Sequence, residues 1–176
     1  MDGIFYAYAA LISIFGYSVK DMHVAFLVLN IGSTIMLFFL TRKLSNNMGG
    51  LAAAAFFSVL AMTPNACGFT VQSEHIVAFF SIGGFLALLH FLDNKKIAYL
   101  ILAGTLFSFA FQIKQTAFFY GLFAGVLFVY KCFFVDKIGL KKIIFYIIVF
   151  VISVVASIVI DLYLVYRNGA WDDFNI

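Results

Sequence analysis

Long apolar stretches follow one another along almost the whole chain, and charged residues separate them at similar intervals. A helix of roughly 20 apolar residues crosses the hydrocarbon core of a bilayer, which is about 30 Å thick. Within that core every backbone N–H and C=O needs a partner in the same segment, so the stretches must be helical. The predicted membrane spans are Met22–Thr41, Gly50–Ala66, Ile76–Leu92, Ile97–Ile113, Thr116–Phe134 and Ile143–Leu164.

The composition excludes an ordinary soluble domain. Of 176 residues, 65% are hydrophobic and 11% are charged, whereas soluble domains carry about 25% charged residues. A water-soluble fold of this size cannot hide so much apolar surface, so membrane lipids must cover it. We therefore expect an all-α polytopic membrane protein, with residues 1–176 in one transmembrane helical domain. The small net charge of +3 indicates no nucleic-acid partner.

The distribution of positive charge predicts the orientation of the helices. If the end of the first span is cytoplasmic, eight cations lie on that side and three, Lys20, Lys114 and Arg167, lie outside. Such an excess of cytoplasmic Lys and Arg is typical of membrane proteins. The basic stretch from Lys131 to Lys142 is expected to touch anionic lipid headgroups. The predicted location is the cell membrane, as a bacterial inner or plasma membrane protein.

The opening stretch, Gly3–Val19, is uncharged and precedes the first clear span by a very short turn. Two arrangements are open: one arm of a transmembrane hairpin, or a helix along the outer interface. Its tyrosines suit an interface, and we favour the second arrangement.

Glu74 and His75 open the third predicted span, after an outer loop that contains Pro64, Cys67 and Gly68. The simpler interpretation is a helix start, with Ser73 as the cap and a carboxylate in the first turn. The functional interpretation is that Glu74 faces an outer cavity, where it binds a sugar hydroxyl, a metal ion or a catalytic partner. Glu74 and His75 alone are too few to make a metal site.

Lys114 lies between two apolar runs that are joined by almost no loop. It is either a lysine that extends its ammonium group to the interface or a fixed cation that holds a lipid phosphate. In the second case Gln112, Gln115 and Thr116 are expected to supply hydrogen bonds around it. Asp161, near the outer end of the last span, is expected to mark where that helix leaves the membrane rather than to pair with Arg167.

Several other chemistries find no support. The chain has no phosphate-binding loop of the Walker type, no HExxH and no GxSxG, and Cys67 and Cys132 show no metal-ligand spacing. Gly83-Gly84 and the pair Gly121 and Gly125 are predicted to be contacts between helices. A small transporter or channel, or a membrane scaffold without catalysis, remains the alternative class.

Taken in order, several loose motifs resemble the GT-C superfamily of polyprenyl-phosphate-sugar-dependent glycosyltransferases, the group of protein mannosyltransferases and the lipid A aminoarabinose transferase. They cover nearly the whole chain, and their order carries more weight than any one of them. The resembling segments are Gly3–Gly16, Thr41–Leu44 with Gly49–Ala54, Thr70–His75, Asn94–Gly104 and Phe111–Thr116.

The chain also departs from the family pattern. The resemblance implies a catalytic acid in a first outer loop, which is expected upstream of Met1, and no catalytic residue is assigned here. Asp2 is not a convincing remnant of that acid. We therefore expect a fragment of a longer enzyme that is inactive alone.

The resemblance implies transfer of a sugar from a polyprenyl phosphate to an acceptor at the outer membrane face. Lys114, assisted by Gln115, is then expected to stabilise the departing lipid phosphate, with Glu74 in the same cavity. No cofactor is firmly implied, although a divalent metal ion near Glu74 and His75 is a candidate.

Overall fold

The computed structural model describes residues 3–61, 63 and 72–167, and they form α-helices joined by short turns. Predictions that concern Asp2, Pro64, Cys67 and Gly68 lie outside these residues. The helices are α1 (Gly3–Phe15), α2 (Val19–Leu44), α3 (Asn47–Ala61), α4 (Ser73–Asn94), α5 (Ile97–Ile113), α6 (Phe118–Tyr130) and α7 (Leu140–Arg167). A 3₁₀ turn, Gln115–Ala117, precedes α6, and a π turn, Lys131–Val135, follows it.

Among the described residues, four helical segments are long and apolar enough to cross a membrane, namely α2, α4, the continuous run Gln115–Val135 and most of α7. The helices α1, α3 and α5 are apolar but shorter. The all-α membrane fold that the sequence predicts is therefore confirmed. The helix predicted at Gly50–Ala66 begins three residues earlier, at Asn47, and its described part ends at Ala61.

The central helix of the bundle is α4, because most of its apolar stretch is buried, against less than a fifth in α2 and α7. It packs against α2, α5 and α6, while α3 lies outside α2 and α7 lies outside α5. Phe91, Leu88 and Leu100 are among the most buried side chains at this junction. The outward faces of the helices carry many exposed aliphatic and aromatic side chains, which in a membrane protein contact lipid.

Ion pairs define one end of the bundle, here called the basic end. Lys43 and Lys131 both contact the Asp93 carboxylate, at 2.8 and 3.4 Å, and Lys95 pairs with Asp136. The opposite end carries an ion pair between Glu74 and Lys114 and is called the Lys114 end. The eight cations grouped together from the sequence therefore belong to helix ends and turns on one side of the bundle.

Both ends of α1 lie at the Lys114 end. A β-carbon placed on Gly3 would be 2.7 Å from that of Gln112, near the end of α5, and one on Gly16 would be 2.6 Å from the Asp21 carboxylate in the first turn of α2. Gly16 has φ +110°, which an L side chain rarely adopts, and it ends α1. At 13 residues, α1 is about 20 Å long. It therefore runs across the bundle end, as an interfacial helix would.

Small residues contact neighbouring helices at some predicted positions and not at others. A β-carbon on Gly84 would lie 3.0 Å from the Phe107 ring, so the predicted contact at Gly83-Gly84 is confirmed. The same prediction for Gly121 and Gly125 is wrong, because nothing lies within 4 Å of a β-carbon at either position. That absence of contacts holds for the part of the chain that the structure describes, where these glycines instead line an apolar groove of about 690 Å³ between α6 and α7.

Candidate functional site

The Glu74 carboxylate and the Lys114 ammonium group form an ion pair at the Lys114 end of the bundle. They are 40 positions apart in sequence, and the antiparallel packing of α4 and α5 brings them together. The exposed fractions of their side chains are 52% for Glu74 and 40% for Lys114. Both charges can therefore be reached by a ligand from outside the bundle.

The break between α5 and the following 3₁₀ turn positions Lys114. Its backbone is extended, with φ −149° and ψ 127°, while its N–H still donates to Ala110 O at 3.1 Å. Its own carbonyl accepts from Ala117 N at 3.0 Å. Hydrogen bonds on both sides thus fix the backbone of this residue at the helix break.

Glu74 is in the first turn of α4, where the positive end of the helix dipole favours a carboxylate. Gln72 occupies the cap position and makes no side-chain cap hydrogen bond. The expected cap, Ser73, is already in the helix, and its hydroxyl donates to Glu74 Oε2 at 3.2 Å. Ser73 therefore orients the carboxylate instead of capping the backbone, which corrects the prediction from sequence.

Tyr8 of α1 lies near the same carboxylate. Burial, and then the negative charge of Glu74, raise the pKa of the Tyr8 phenol above its ordinary value. Its ring stacks on Phe26 of α2, with 6.0 Å between ring centroids. The sequence singled out Tyr8 only as an interfacial aromatic residue, since its distance from Glu74 depends on how α1 crosses the bundle end.

His75 points into the bundle, away from the exposed ion pair. It is 8% exposed, its Nδ1 is 2.9 Å from Asn30 Oδ1, and its ring meets Phe26 edge-on. Asn30 was missed in the sequence, although a lone amide within an apolar span is a signal for a helix–helix hydrogen bond. Among the residues that the structure describes, no three His, Cys, Asp or Glu side chains are grouped as a metal ion would need.

Gln112 does not contribute hydrogen bonds around Lys114 in the way that the sequence suggested. Its Nε2 donates to Ser108 Oγ at 3.1 Å and to Ser157 Oγ at 3.3 Å, so its side chain is directed towards α7. Gln115 and Thr116 are exposed on the 3₁₀ turn. Their positions beside Lys114 leave them available to a bound ligand.

A cavity of about 210 Å³ lies beneath α1 at the Lys114 end. Its polar lining includes Tyr6, Gln112 and Asp161. The α7 helix continues six residues past Asp161, to Arg167. Asp161 therefore lies within the helix, on the wall of this cavity, and its expected place where α7 leaves the membrane stays a prediction.

Comparison with known proteins identifies the family of this chain. Residues 3–160, about nine-tenths of the chain, match the model of the dolichyl-phosphate-mannose-protein mannosyltransferase family. No match was found among curated proteins or among solved structures. The apolar helices agree with the family, whose members are membrane glycosyltransferases of the GT-C type. The match covers all seven helices except the last turns of α7, and the chain belongs to the dolichyl-phosphate-mannose-protein mannosyltransferase family.

Proposed function

We propose that this chain contributes the donor-phosphate site of a glycosyltransferase that moves a sugar from a polyprenyl phosphate to an acceptor at the outer membrane face. The observation that carries the proposal is the Lys114 ammonium group, fixed at a helix break and paired with Glu74 at the accessible end of the bundle. The membrane glycosyltransferase family of the chain supplies the reaction class.

The chemistry of the reaction explains why a cation is useful there. The acceptor hydroxyl attacks the sugar carbon that carries the phosphate, a carboxylate base takes the hydroxyl proton, and the carbon–oxygen bond to phosphate breaks. The departing polyprenyl phosphate gains one negative charge as that bond breaks. A fixed ammonium group beside it therefore binds the transition state more tightly than the donor, and this lowers the barrier.

In this arrangement the Glu74 carboxylate is the ion-pair partner of the Lys114 ammonium group while no donor is bound. Both side chains are partly exposed, and exposed ion pairs contribute little stability. An incoming phosphate can therefore replace the carboxylate as the partner of Lys114 at small cost. Glu74 then becomes free to accept a hydrogen bond from a sugar hydroxyl, and Gln115 is close enough along the chain to donate one to the phosphate.

The orientation of the bundle also supports a donor site on the outer side. Eight cations belong to the basic end, while the Lys114 end carries three, Lys20, Lys114 and Arg167. The more basic end is expected in the cytoplasm. Lys114 and Glu74 then face outward, where the acceptor is proposed to bind.

A binding titration of the purified full chain with a polyprenyl phosphate in neutral detergent tests this proposal. Lys114→Ala should weaken binding by roughly tenfold or more, because a hydrogen bond between charged groups is lost. Lys114→Arg should retain most of the affinity, since the charge remains. Lys20→Ala is the matched control, because Lys20 is an exposed lysine in the first turn of α2 at the same end.

Equal affinity of the wild-type chain and Lys114→Ala would refute the assignment. Equal losses in Lys114→Ala and Lys20→Ala would also refute it, because they would indicate general attraction to positive charge. Circular dichroism and thermal unfolding of each variant separate loss of binding from loss of folding.

A further inference from the structure

The basic end carries far more positive charge than its own carboxylates neutralise. Eight cations and two carboxylates, Asp93 and Asp136, belong to this end within the described part of the chain. Asp93 pairs with Lys43 and Lys131, and Asp136 pairs with Lys95. Among the described residues, no carboxylate lies within ion-pair distance of the other five cations of this end. These five are Arg42, Lys96, Lys137, Lys141 and Lys142.

Three of these unpaired cations are gathered at one cavity. A cavity of about 700 Å³ between the π turn and the start of α7 is lined by Lys137, Lys141 and Lys142, together with the Lys95–Asp136 pair. Because the Asp136 charge is already matched by Lys95, the cavity has an excess of three positive charges. It therefore has the electrostatic character of an anion site.

Backbone hydrogen bonds hold the wall of this cavity in place. Asp136 N donates to Lys131 O at 2.9 Å and Ile138 N donates to Cys132 O at 2.9 Å, which ties the following loop to the π turn. Lys137 adopts φ +48° and reverses the chain direction there. The first turn of α7 closes on Gly139 O, which accepts from Lys142 N at 2.9 Å. The lysines are thus presented by a fixed loop.

The surroundings of the cavity are those of a membrane interface. Tyr146, which also lines it, packs edge-on against the buried ring of Phe91 with 5.0 Å between centroids. The exposed apolar side chain of Leu140, at the start of α7, also lines it, and Phe134 in the adjacent π turn is exposed as well. A tyrosine at the boundary between apolar surface and lysines is typical of the depth at which phospholipid headgroups lie.

We propose that this cavity binds the headgroup phosphate of an anionic phospholipid. The charge excess selects an anion, and the adjoining apolar surface accommodates acyl chains, which a free phosphate ion lacks. Lysine clusters beside membrane helices attract anionic lipids in this way. The site is at the opposite end of the bundle from Lys114 and is independent of the donor-phosphate site.

Native mass spectrometry of the full chain in neutral detergent, titrated with phosphatidylglycerol or phosphatidylcholine, tests the proposal. We expect selective retention of phosphatidylglycerol. Lys141→Gln combined with Lys142→Gln should weaken its binding roughly 25-fold, since each lysine near an anionic lipid contributes a factor of about five. Arg42→Gln combined with Lys96→Gln removes the same charge from the same end outside the cavity and should change the affinity by less than about twofold.

Equal losses in the two double variants would overturn the proposal, as would equal retention of phosphatidylcholine and phosphatidylglycerol by the wild-type chain. Displacement of phosphatidylglycerol by an equal concentration of inorganic phosphate would assign the cavity to a free anion and also overturn it. Thermal unfolding in lipid-free detergent should be the same for both double variants, which excludes misfolding as the cause. Polyprenyl phosphate binding at Lys114 should be unchanged in both, so failure of one proposal leaves the other testable.

Discussion

Gly104 of α5 and Ser153 of α7 pack so closely that a β-carbon on Gly104 would overlap the Ser153 hydroxyl oxygen. That hydroxyl donates to Phe150 O at 2.7 Å, so it already has a partner on its own helix. The carbonyl oxygen of Phe150 would lie 3.1 Å from the same β-carbon. The two helix backbones can approach this closely only because residue 104 has no side chain.

Gly104→Ala is therefore expected to destabilise the bundle by about 1 to 3 kcal/mol, the usual cost of overpacking. Gly125→Ala is the matched control, because it is a glycine in a membrane helix with open space around its β-carbon position. That control should be neutral or slightly stabilising, since alanine favours the helix by about 1 kcal/mol. Thermal unfolding in a mild detergent measures both. Equal effects of the two substitutions would contradict the close contact at Gly104.

The buried amide of Gln112 should contribute to the same α5–α7 interface. Gln112→Leu removes a hydrogen bond to Ser157 of α7, worth about 0.6 kcal/mol between membrane helices, and a second one to Ser108 within α5. We expect a loss of about 1 kcal/mol in the free energy of unfolding. Gln115→Leu, at an exposed position three residues later, should have little effect on unfolding. If both variants unfold alike, the amide of Gln112 does not stabilise the interface.

Glu74→Gln is expected to strengthen polyprenyl phosphate binding, because it removes the carboxylate that competes for the Lys114 ammonium group. The gain should be a few-fold, since exposed ion pairs are weak, and it should shrink as salt is added. Titration of the wild type and of Glu74→Gln at low and high ionic strength measures this. A loss of affinity comparable to that of Lys114→Ala would instead show that phosphate binding requires the Glu74 carboxylate, and it would contradict the proposed competition.

The proposed orientation can be measured by cysteine labelling. In a background of Cys67→Ser and Cys132→Ala, single cysteines are introduced by Lys20→Cys at the Lys114 end and by Lys96→Cys at the basic end. A membrane-impermeant maleimide should label the first in intact cells and the second only after permeabilisation, because the more basic end is cytoplasmic. The reverse pattern would place Lys114 inside the cell and exclude the outer-face reaction.

Helix positions and charge distribution could be predicted from sequence because they depend on local composition. The start and end predicted for α5, Ile97 and Ile113, agree with the structure, since lysines flank an uninterrupted apolar run. The grouping of Lys43, Lys95 and Lys131 at one end also follows from simple alternation of antiparallel helices. Both arguments require only the length of the bilayer core and the cost of burying charge.

Contacts between helices were harder to predict because they depend on which faces meet. Gly121 and Gly125 have the same small-residue character as Gly104, yet of these three only Gly104 is in close contact with another helix within the described residues. Gln112 bonds to Ser157 of α7 because its face of α5 meets that helix, and which faces meet is not set by local sequence. Lys114 lies beyond the end of α5 with an extended backbone, so helical spacing does not relate its direction to that of Gln112.

The position of α1 also determines the order in which the Lys114 end is assembled. Gly3 contacts Gln112, which is synthesised 109 positions later, and at 5–20 residues per second this delay is roughly 5 to 20 s. During that interval α1 can already pack on α2, as Tyr8 does on Phe26, but the side chains that α5 will cover must be sheltered by the membrane surface. The α1 helix is thus made before α5, one of the helices that it packs against, and the Lys114 end is completely assembled only after α5 has inserted.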